Sequence, residues 1–461
     1  MKYFITFLFL TCIGLLIFPD LYCAIGFGIT LTIGLDIFFY SNETFKFREW
    51  ALFLYAVNYL LFPSITYQLD QNMIEYPMKI PSDYYFSKAI PMIVLFMIGM
   101  YSIPTRLFKP DLSKVNDAST INKRILLNSV YFGLLLNIFS SFIPGEFGFF
   151  IYLLSMIRFI GAFSLFSLDS RKYTYLYVLV LLLEIYNGFI EGMFHDAIMW
   201  TIFFTLFYFY IAKPSILRKI IGLMVLIIFV LFIQAFKFSY RSEVAKTGVS
   251  NLESIRKIGA KKANSKSIFG LQNFYSTLNR GNQAWIFSST VKKMDSNNNY
   301  QGMTIVNRYL ESALLPRFLS ENKIRSGDKE IFNRFSGHKI NKTTSMALGV
   351  FADGYVAYGD WGVYIFSFVL GFIFSIIFKI IESWTKISPF YVLMLLPILH
   401  YAVRPDCELQ TIVNHLSKSI FVFGVLVFFS RYQFKLDTFE AKRKLNIIQD
   451  MKKLDGDGVV N

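Results

Sequence analysis

The chain has 461 residues, of which 54% are hydrophobic, 18% are aromatic and only 17% are charged, and its formal net charge is +15. Soluble globular domains carry roughly 25% charged residues, so this composition excludes an ordinary soluble domain and is typical of a protein embedded in a lipid bilayer. The three cysteines are far apart in sequence, which leaves no motif of a disulfide framework or a zinc cluster.

Apolar segments long enough to cross a bilayer, which takes about 20 residues, recur along the chain. The first resembles a secretory signal peptide, but no small-residue cleavage site follows it and a second apolar run begins at once, so we predict that it is retained. The expected fold class is an all-α polytopic membrane protein with about 12 transmembrane helices and one large extracytoplasmic loop. The predicted spans are residues 3–18, 21–40, 50–67, 88–106, 125–144, 147–167, 174–192, 196–213, 217–236, 361–381, 389–403 and 418–432.

Lysine and arginine in the short loops indicate which ends of the spans face the cytoplasm. With the N-terminus inside, the predicted cytoplasmic segments hold 21 of these residues and the short outer loops hold four. An even number of spans returns the chain to the side on which it began. We therefore predict that the N- and C-termini are both cytoplasmic.

One long hydrophilic stretch interrupts the series of spans and is predicted to lie outside the cytoplasm. It divides the chain into nine N-terminal spans (1–236), the loop itself (237–352), three C-terminal spans (353–432) and a basic cytoplasmic tail (433–461). The loop holds 19 Lys and Arg against 7 Asp and Glu. Long loops cross membranes regardless of their charge, so this excess indicates attraction of an anionic, membrane-bound ligand, with an ordinary solvated loop as the alternative.

Arginine is suited to phosphate and pyrophosphate because its planar guanidinium makes paired, charge-assisted hydrogen bonds and stays protonated. Four arginines occupy predicted outer positions and are candidate pyrophosphate ligands: Arg241, Arg280, Arg317 and Arg404. The alternative for each is an ordinary interfacial anchor. The segment around 304–319 is also amphipathic, which predicts a short helix at the membrane interface.

The stretch that opens the tenth predicted span, TTSMALGVFADGYVAYGDWGVYIF, changes from polar to apolar within a few turns. An ionisable residue at the entrance to a span is costly, so Asp353 is a functional candidate, with a helix cap or first-turn acid as the alternative. Gly354, Gly359 and Gly362 permit close backbone approach to a helix or a ligand. His338, in the loop, is a second candidate, whose alternative is an ordinary surface histidine.

Several other ionisable residues fall in or next to predicted spans. Those inside spans need a charged partner or a polar cavity, and they are Asp36, Arg158 and Glu184. Those at predicted outer ends of spans are Glu191, His195, Asp196, Asp406 and Glu408.

The spans, the late outer loop and its motifs together resemble the Wzy-type O-antigen and capsular repeat-unit polymerases, a family related to the O-antigen ligases. The resemblance lies in a Pro-Arg pair in the loop, an acid-x-Tyr-x-x-aromatic-Gly-x-x-Gly run opening the next span, and a late arginine followed by an acid. Here these are Pro316-Arg317, residues 353–362 (DGYVAYGDWG), and Arg404 with Glu408. The family more often has Glu at the position of Asp353. The specific part covers roughly residues 236–410, and the first nine spans match in character only.

The resemblance implies a metal-independent glycosyltransferase that needs no cofactor. A growing glycan would pass from undecaprenyl pyrophosphate to the next lipid-linked repeat unit on the outer face of the bacterial inner membrane, in lipopolysaccharide or capsule biosynthesis. The four arginines would stabilise the charge on the departing pyrophosphate. Asp353 or His338 would accept the proton of the attacking hydroxyl. The residues expected to contact sugars are Tyr355, Tyr358 and Glu408.

The implied partners are undecaprenyl-pyrophosphate-linked oligosaccharides, the bilayer, a chain-length regulator and a flippase, and no nucleic acid is expected. Two alternatives stay open. His338 precedes Gly349 by 11 positions. Because this spacing is close to that of a histidine and a glycine in the O-antigen ligases, a ligase-like glycan transferase is one alternative. A flippase or other transporter of the same lipid-linked oligosaccharide would show inverted repeats and charges spread over many spans. The sequence shows neither, because its polar residues are concentrated in the one predicted outer loop.

Overall fold

The computed structural model describes residues 2–40, 45–70, 74–108, 123–140, 142–143, 145–190, 194–247, 275, 278, 281–315, 323–340 and 345–431. Side chains are described for the same residues except 40, 145–146, 190, 194 and 234–247. Of the described part of the chain, 81% is helical and none is β-strand, so the predicted all-α class is confirmed.

The first half of the chain is a series of helices joined mostly by short connections. Their bounds are Lys2–Ile17 (α1), Leu21–Leu35 (α2), Phe47–Ala56 (α3), Phe62–Thr66 (α4), Ser82–Tyr101 (α5), Lys123–Ser140 (α6), Gly145–Ser155 (α7), Ile157–Leu168 (α8), Ser170–Ile190 (α9), Phe194–Ala212 (α10) and Ile216–Thr247 (α11). One π-helical turn, Asp36–Tyr40, extends α2, and another, Val57–Leu61, joins α3 to α4.

The predicted outer loop contributes short helices, and three further helical segments follow it. The bounds are Ala284–Asn297 (α12), Gly302–Leu314 (α13), Lys329–Ser336 (α14), Val350–Thr385 (α15), a 3-10 turn at Pro389–Met394, Leu395–Leu399 (α16) and Leu409–Arg431 (α17). The amphipathic helix predicted near 304–319 is α13, which buries Ile305, Tyr309 and Ala313 on one face.

Each of the twelve predicted spans overlaps helical residues in the structure. However, not every one of these helices is long and apolar enough to cross a membrane. Among the described residues, seven helices are long and apolar enough: Leu21–Phe39, Ser82–Tyr101, Phe147–Leu168, His195–Ala212, Ile216–Ile233, Val350–Thr385 and Leu409–Arg431. The apolar helices Lys2–Ile17 and Pro389–Leu399 are shorter. The number of membrane crossings therefore stays a prediction.

The exposed surface of α11 is apolar and is suited to contact with lipid. Only 11% of its apolar segment, Ile216–Ile233, is buried, and Leu217 and Met224 are 68% and 58% exposed. A continuous apolar face of this length is unfavourable in water and matches the hydrocarbon interior of a bilayer.

The long helices α5 and α15 cross at a pair of glycines. A Cβ atom built on Gly99 would lie 2.3 Å from the carbonyl oxygen of Phe368, and one built on Gly371 would lie 2.2 Å from that of Phe96. The two backbones are in direct contact here, which is the arrangement that small residues permit between membrane helices. This crossing fixes the position of α15, which carries Asp353 at its first turn.

Candidate active site

The segment between α16 and α17, residues 400–408, carries a dense group of ionisable side chains and is fastened by hydrogen bonds to buried helices. The Tyr55 hydroxyl of α3 donates to the Ala402 carbonyl at 2.8 Å. The backbone N–H of Val350, at the start of α15, donates to the Cys407 carbonyl at 3.0 Å. The segment is therefore positioned by α3 and α15 together.

Arg404 lies in an ionic network between two aspartates. Its Nη1 is 2.6 Å from Oδ1 of Asp196 on α10, and its Nε and Nη2 donate to the two oxygens of Asp406 at 3.3 and 3.1 Å. The side chains of Arg404 and Asp196 are 12% and 11% exposed, whereas that of Asp406 is 41% exposed. The guanidinium is thus shielded towards α10 and approachable by solvent through Asp406.

The charge of this network is negative unless histidines contribute. Partial burial alone would raise the pKa of the Asp406 carboxyl, but the Arg404 guanidinium holds that pKa well below its usual range, so Asp406 is ionised at neutral pH. One guanidinium then faces two carboxylates. His400 Nε2 lies 3.5 Å from Asp196 Oδ1, and His195 Nε2 lies 3.7 Å from Asp406 Oδ1. Protonation of either imidazole would balance the charge.

Three of the protein's four histidines surround this network. His415, on α17, places its ring 4.7 Å from the ring of Tyr401 and 6.4 Å from that of His400. The ring of His400 stacks on Trp200 at 5.1 Å. A group of imidazoles, an arginine and carboxylates at one end of an apolar bundle is suited to binding polar molecules and moving protons.

Asp353 is 1% exposed and accepts a hydrogen bond at each carboxylate oxygen. The Tyr309 hydroxyl of α13 donates to Oδ1 at 3.1 Å, and the backbone N–H of Leu409 donates to Oδ2 at 2.8 Å. Because Asp353 is in the first turn of α15 and Leu409 begins α17, the carboxylate lies at the positive ends of two helices, which favour a negative charge. No cation in the described part of the chain pairs with it, so its contacts are those of a helix cap.

Glu408 links residues 323–340 of the predicted outer loop (the outer segment) to the start of α17. It is 3% exposed, and its Oε1 accepts from the Gly327 backbone N–H at 2.8 Å and from the Thr411 hydroxyl at 3.2 Å. Burial raises the pKa of the Glu408 carboxyl above its ordinary value, although these hydrogen bonds oppose the rise. The predicted contact of Glu408 with a sugar would require the outer segment to move.

A sharp bend in α15 explains the glycines around Asp353. Tyr358 and Gly359 leave the helical region, and Gly359 has a φ of 62°, a conformation that glycine adopts without strain. The bend brings Gly354 against Gly362, where an added Cβ would lie 1.9 Å from the Gly354 carbonyl oxygen. In a straight helix these residues would be about 12 Å apart. The glycines therefore allow the close backbone approach predicted for them.

The two predicted sugar-contacting tyrosines differ in accessibility. Tyr355 is 2% exposed, and its hydroxyl donates to Asp295 Oδ1 at 2.5 Å, which leaves it packed inside the protein. Tyr358, at the bend, is 44% exposed. Of this pair, only Tyr358 is accessible to a ligand in this conformation.

His338 lies in the outer segment, and its described contacts do not include Asp353 or Arg404. Its Nε2 is 3.2 Å from Ser289 Oγ, and its ring stands edge-on to Trp285 at 5.2 Å. Partial burial and the nearby Lys79 ammonium lower the pKa of His338. The imidazole is therefore neutral at neutral pH and able to accept a proton.

Of the four predicted pyrophosphate ligands, only Arg404 has a described side chain. Arg280 and Arg317 lie outside the described residues, and Arg241 is on α11 where the side chain is not described. The convergence of these arginines on Arg404 stays a prediction.

A cavity of about 420 Å³ opens beside the ionic network, between α6, α7, α9 and α10. Three predicted outer connections border it, so they share one end of the bundle. Glu184, which is held by Arg158 at 2.8 Å, faces the cavity and thus has both the partner and the polar surroundings expected of it. The lining residues are Asn137, Ile138, Ser140, Phe142, Phe149, Tyr152, Glu184, Asn187, Gly188, Asp196 and Tyr401.

The sequence interpretation missed several members of this site, chiefly His400, Tyr401 and His415. A usable signal was present, because two of only four histidines flank Arg404 within a segment of polar residues at the end of a span. Among the residues that the structure describes, no group of three or more His, Cys, Asp or Glu is arranged to hold a metal ion.

These features define an all-helical class of protein with at least seven helices suited to a membrane and an ionic network at one end of the bundle. Residues 93–386 match a family model described as a domain of unknown function (DUF8712). The match covers more than half of the chain, so the protein belongs to this family. No curated protein and no solved structure matches the chain.

Proposed function

We propose that this protein polymerises lipid-linked oligosaccharide repeat units. It transfers the growing glycan from undecaprenyl pyrophosphate to the next lipid-linked unit, without a metal, on the outer face of the bacterial inner membrane. About twelve spans, cytoplasmic termini and an external loop at 237–352 are part of this proposal. The observation that carries it is the placement of Arg404, whose partner Asp196 lines a cavity of about 420 Å³ with mixed polar and aromatic walls at one end of an apolar bundle.

In the proposed reaction, a hydroxyl of the acceptor sugar attacks the anomeric carbon of the donor glycan. The bond from that carbon to the pyrophosphate oxygen breaks, the hydroxyl proton passes to a base, and the lipid pyrophosphate leaves with the electron pair. Charge develops on the leaving oxygen, and guanidinium groups aimed at it lower the barrier. Arg404 supplies one such group, and Arg241, Arg280 and Arg317 are the other proposed ones.

The donor would bind Arg404 by replacing one of its two carboxylates. Asp406 is the one suited to exchange, because its side chain is 41% exposed whereas that of Asp196 is 11% exposed. A phosphate oxygen can accept the same paired N–H groups that Asp406 now accepts. Asp196 would keep the guanidinium in position during the exchange.

Two residues are proposed as the base. The neutral imidazole of His338 can accept a proton directly, although the acceptor would have to reach the outer segment. Asp353 is closer in sequence and space to the segment that carries Arg404, and it would have to exchange its hydrogen bond from Tyr309 for one from the acceptor hydroxyl.

A transporter of the same lipid-linked oligosaccharide is the second candidate, favoured by one specific observation. Ion pairs occur at several places along the bundle and not only near Arg404: Asp36 with Lys46 at 3.0 Å, Lys88 with Asp360 at 2.5 Å and Arg158 with Glu184 at 2.8 Å. Charges distributed through a membrane bundle are typical of transport pathways.

Arginine variants test the polymerase proposal. Arg404→Lys keeps a positive charge but loses the paired donor geometry, and a hydrogen bond to a charged group contributes about 1.5–3 kcal/mol, so chain growth should fall at least roughly tenfold. Arg317→Ala should also shorten the glycan ladder at normal protein levels. The control is Arg325→Ala, an exposed arginine of the outer segment, which should leave the ladder unchanged. Full-length ladders from both Arg404→Lys and Arg317→Ala would contradict the proposed pyrophosphate site.

A further inference from the structure

We infer that the cavity of about 420 Å³ beside Asp196 binds an uncharged sugar unit of the glycan, an inference that rests on the proposed function. The volume lies within the range of roughly 300–1,000 Å³ that small-molecule sites occupy in proteins. Sugar hydroxyls both donate and accept hydrogen bonds, so a site for them needs both kinds of partner close to an apolar surface.

The cavity offers polar groups that are not engaged elsewhere in the described part of the chain. The side-chain amides of Asn137 and Asn187 make no hydrogen bond to other described residues, and neither do the hydroxyls of Tyr152 and Tyr401. These four groups line an open space and are only partly buried, so they can bond to water or exchange that water for the hydroxyls of a ligand. Amides and hydroxyls each supply a donor and an acceptor.

The charges around the cavity favour a neutral occupant. Its two carboxylates are each paired with an arginine already, Glu184 with Arg158 at 2.8 Å and Asp196 with Arg404 at 2.6 Å. Because each carboxylate is already paired with an arginine, the cavity does not require a cation. The carboxylate oxygens that face the cavity also repel a phosphate. Their remaining lone pairs can still accept from sugar hydroxyls. The cavity therefore suits the uncharged part of the substrate, and the phosphate belongs on the other side of Arg404.

Aromatic rings provide the apolar surface. Phe142, Phe149, Tyr152 and Tyr401 all contribute to the lining. A pyranose ring has a face of C–H groups that packs against an aromatic ring while its hydroxyls point to the polar groups at the edge. The combination of amides, paired carboxylates and rings is suited to a sugar better than to a lipid tail, which would leave the polar groups unpaired.

Saturation-transfer NMR on the full-length protein in lipid nanodiscs tests this inference, with glucose, galactose and N-acetylglucosamine as probes at millimolar concentrations. Asn187→Trp would place a large ring in the cavity, and Asn187→Leu would remove the amide while keeping the same branched side-chain shape. The matched control is Asn297→Trp, at an exposed asparagine of α12. We expect transfer to at least one sugar from the wild type and the control, and a reduction of at least fivefold in both Asn187 variants. No transfer from the wild type, or equal transfer from Asn187→Leu, would overturn the inference.

Chain growth measured in the same variants separates this inference from the proposed function. Loss of sugar binding with normal glycan ladders in Asn187→Leu would overturn the role of the cavity and leave the polymerase proposal standing. If sugar binding depends on Asn187 but the protein extends no chains, the cavity is supported as a sugar site and the polymerase proposal is contradicted.

Discussion

The carboxylate of Asp353 accepts the backbone N–H of Leu409 at 2.8 Å, so an acid in the first turn of α15 caps the first turn of α17. The two residues are 56 positions apart. This bond holds together the last two long helices of the described chain and places the segment that carries Arg404 directly between them. Asp353 therefore has a structural role. A test of its proposed role as the base must distinguish a loss of catalysis from a loss of stability.

The variants Asp353→Asn and Asp353→Ala distinguish the structural role of Asp353 from a catalytic role. Asparagine retains an oxygen that can accept from Leu409, so we expect stability close to that of the wild type. Alanine leaves a buried N–H unpaired, which costs about 1–3 kcal/mol in the free energy of unfolding. Thermal unfolding in detergent measures this difference. If Asp353 is the base, both variants lose chain growth; a wild-type glycan ladder from Asp353→Asn would rule out that chemical role.

Asp406→Asn should strengthen the binding of pyrophosphate. Asparagine keeps one oxygen that can accept from Arg404, but it loses the negative charge and the second acceptor. It therefore competes less well with an anion, and because the lost interaction is a charged one, affinity should rise roughly tenfold. Calorimetry with inorganic pyrophosphate on the purified full-length protein measures the change. Asp83→Asn, at an exposed aspartate of α5, serves as the control. Affinity equal to or weaker than that of the wild type would show that Asp406 does not compete with the anion.

Glu408 should make the protein less stable as the pH rises. Its folded-state pKa is raised above the ordinary value of 4.5, so the folded protein holds this proton more tightly than the unfolded chain does. The resulting stabilisation is fully present below about pH 4.5 and is lost as the pH rises through the raised pKa. Glu408→Gln can still accept from Gly327 and Thr411 but does not titrate. Melting temperatures of wild type and Glu408→Gln should diverge between pH 4 and 8 in favour of the variant, and parallel curves would contradict this assignment.

Gly371→Ala should disrupt the crossing of α5 and α15. The added Cβ would lie 2.2 Å from the Phe96 carbonyl oxygen, a backbone atom that cannot yield without moving the helix. Overpacking of this kind costs about 1–3 kcal/mol. Gly424→Ala is a matched control, because the nearest atom to its Cβ is 3.9 Å away. Unfolding in detergent should distinguish the two variants, and equal stability would mean that the helices do not meet at Gly99 and Gly371.

Hydropathy predicted where the helices lie because a window of apolar residues reports local composition directly. It did not reveal the bend at Tyr358 and Gly359, because backbone dihedral angles at one glycine leave no trace in mean hydropathy. It also did not reveal the contact between Arg404 and Asp196, which are 208 positions apart. Sequence placed both residues at predicted outer ends of spans, but their pairing depends on how α10 packs against the segment after α16.

The most direct test of the central claim is the glycan profile of cells that lack this protein. The polymerase account predicts single repeat units attached to the lipid A core or to undecaprenyl pyrophosphate, with no longer chains, and restoration of the ladder by the wild-type gene. Full-length chains retained on undecaprenyl pyrophosphate would instead identify a ligase. Lipid-linked units trapped on the cytoplasmic face would identify a transporter, and either result would contradict the account.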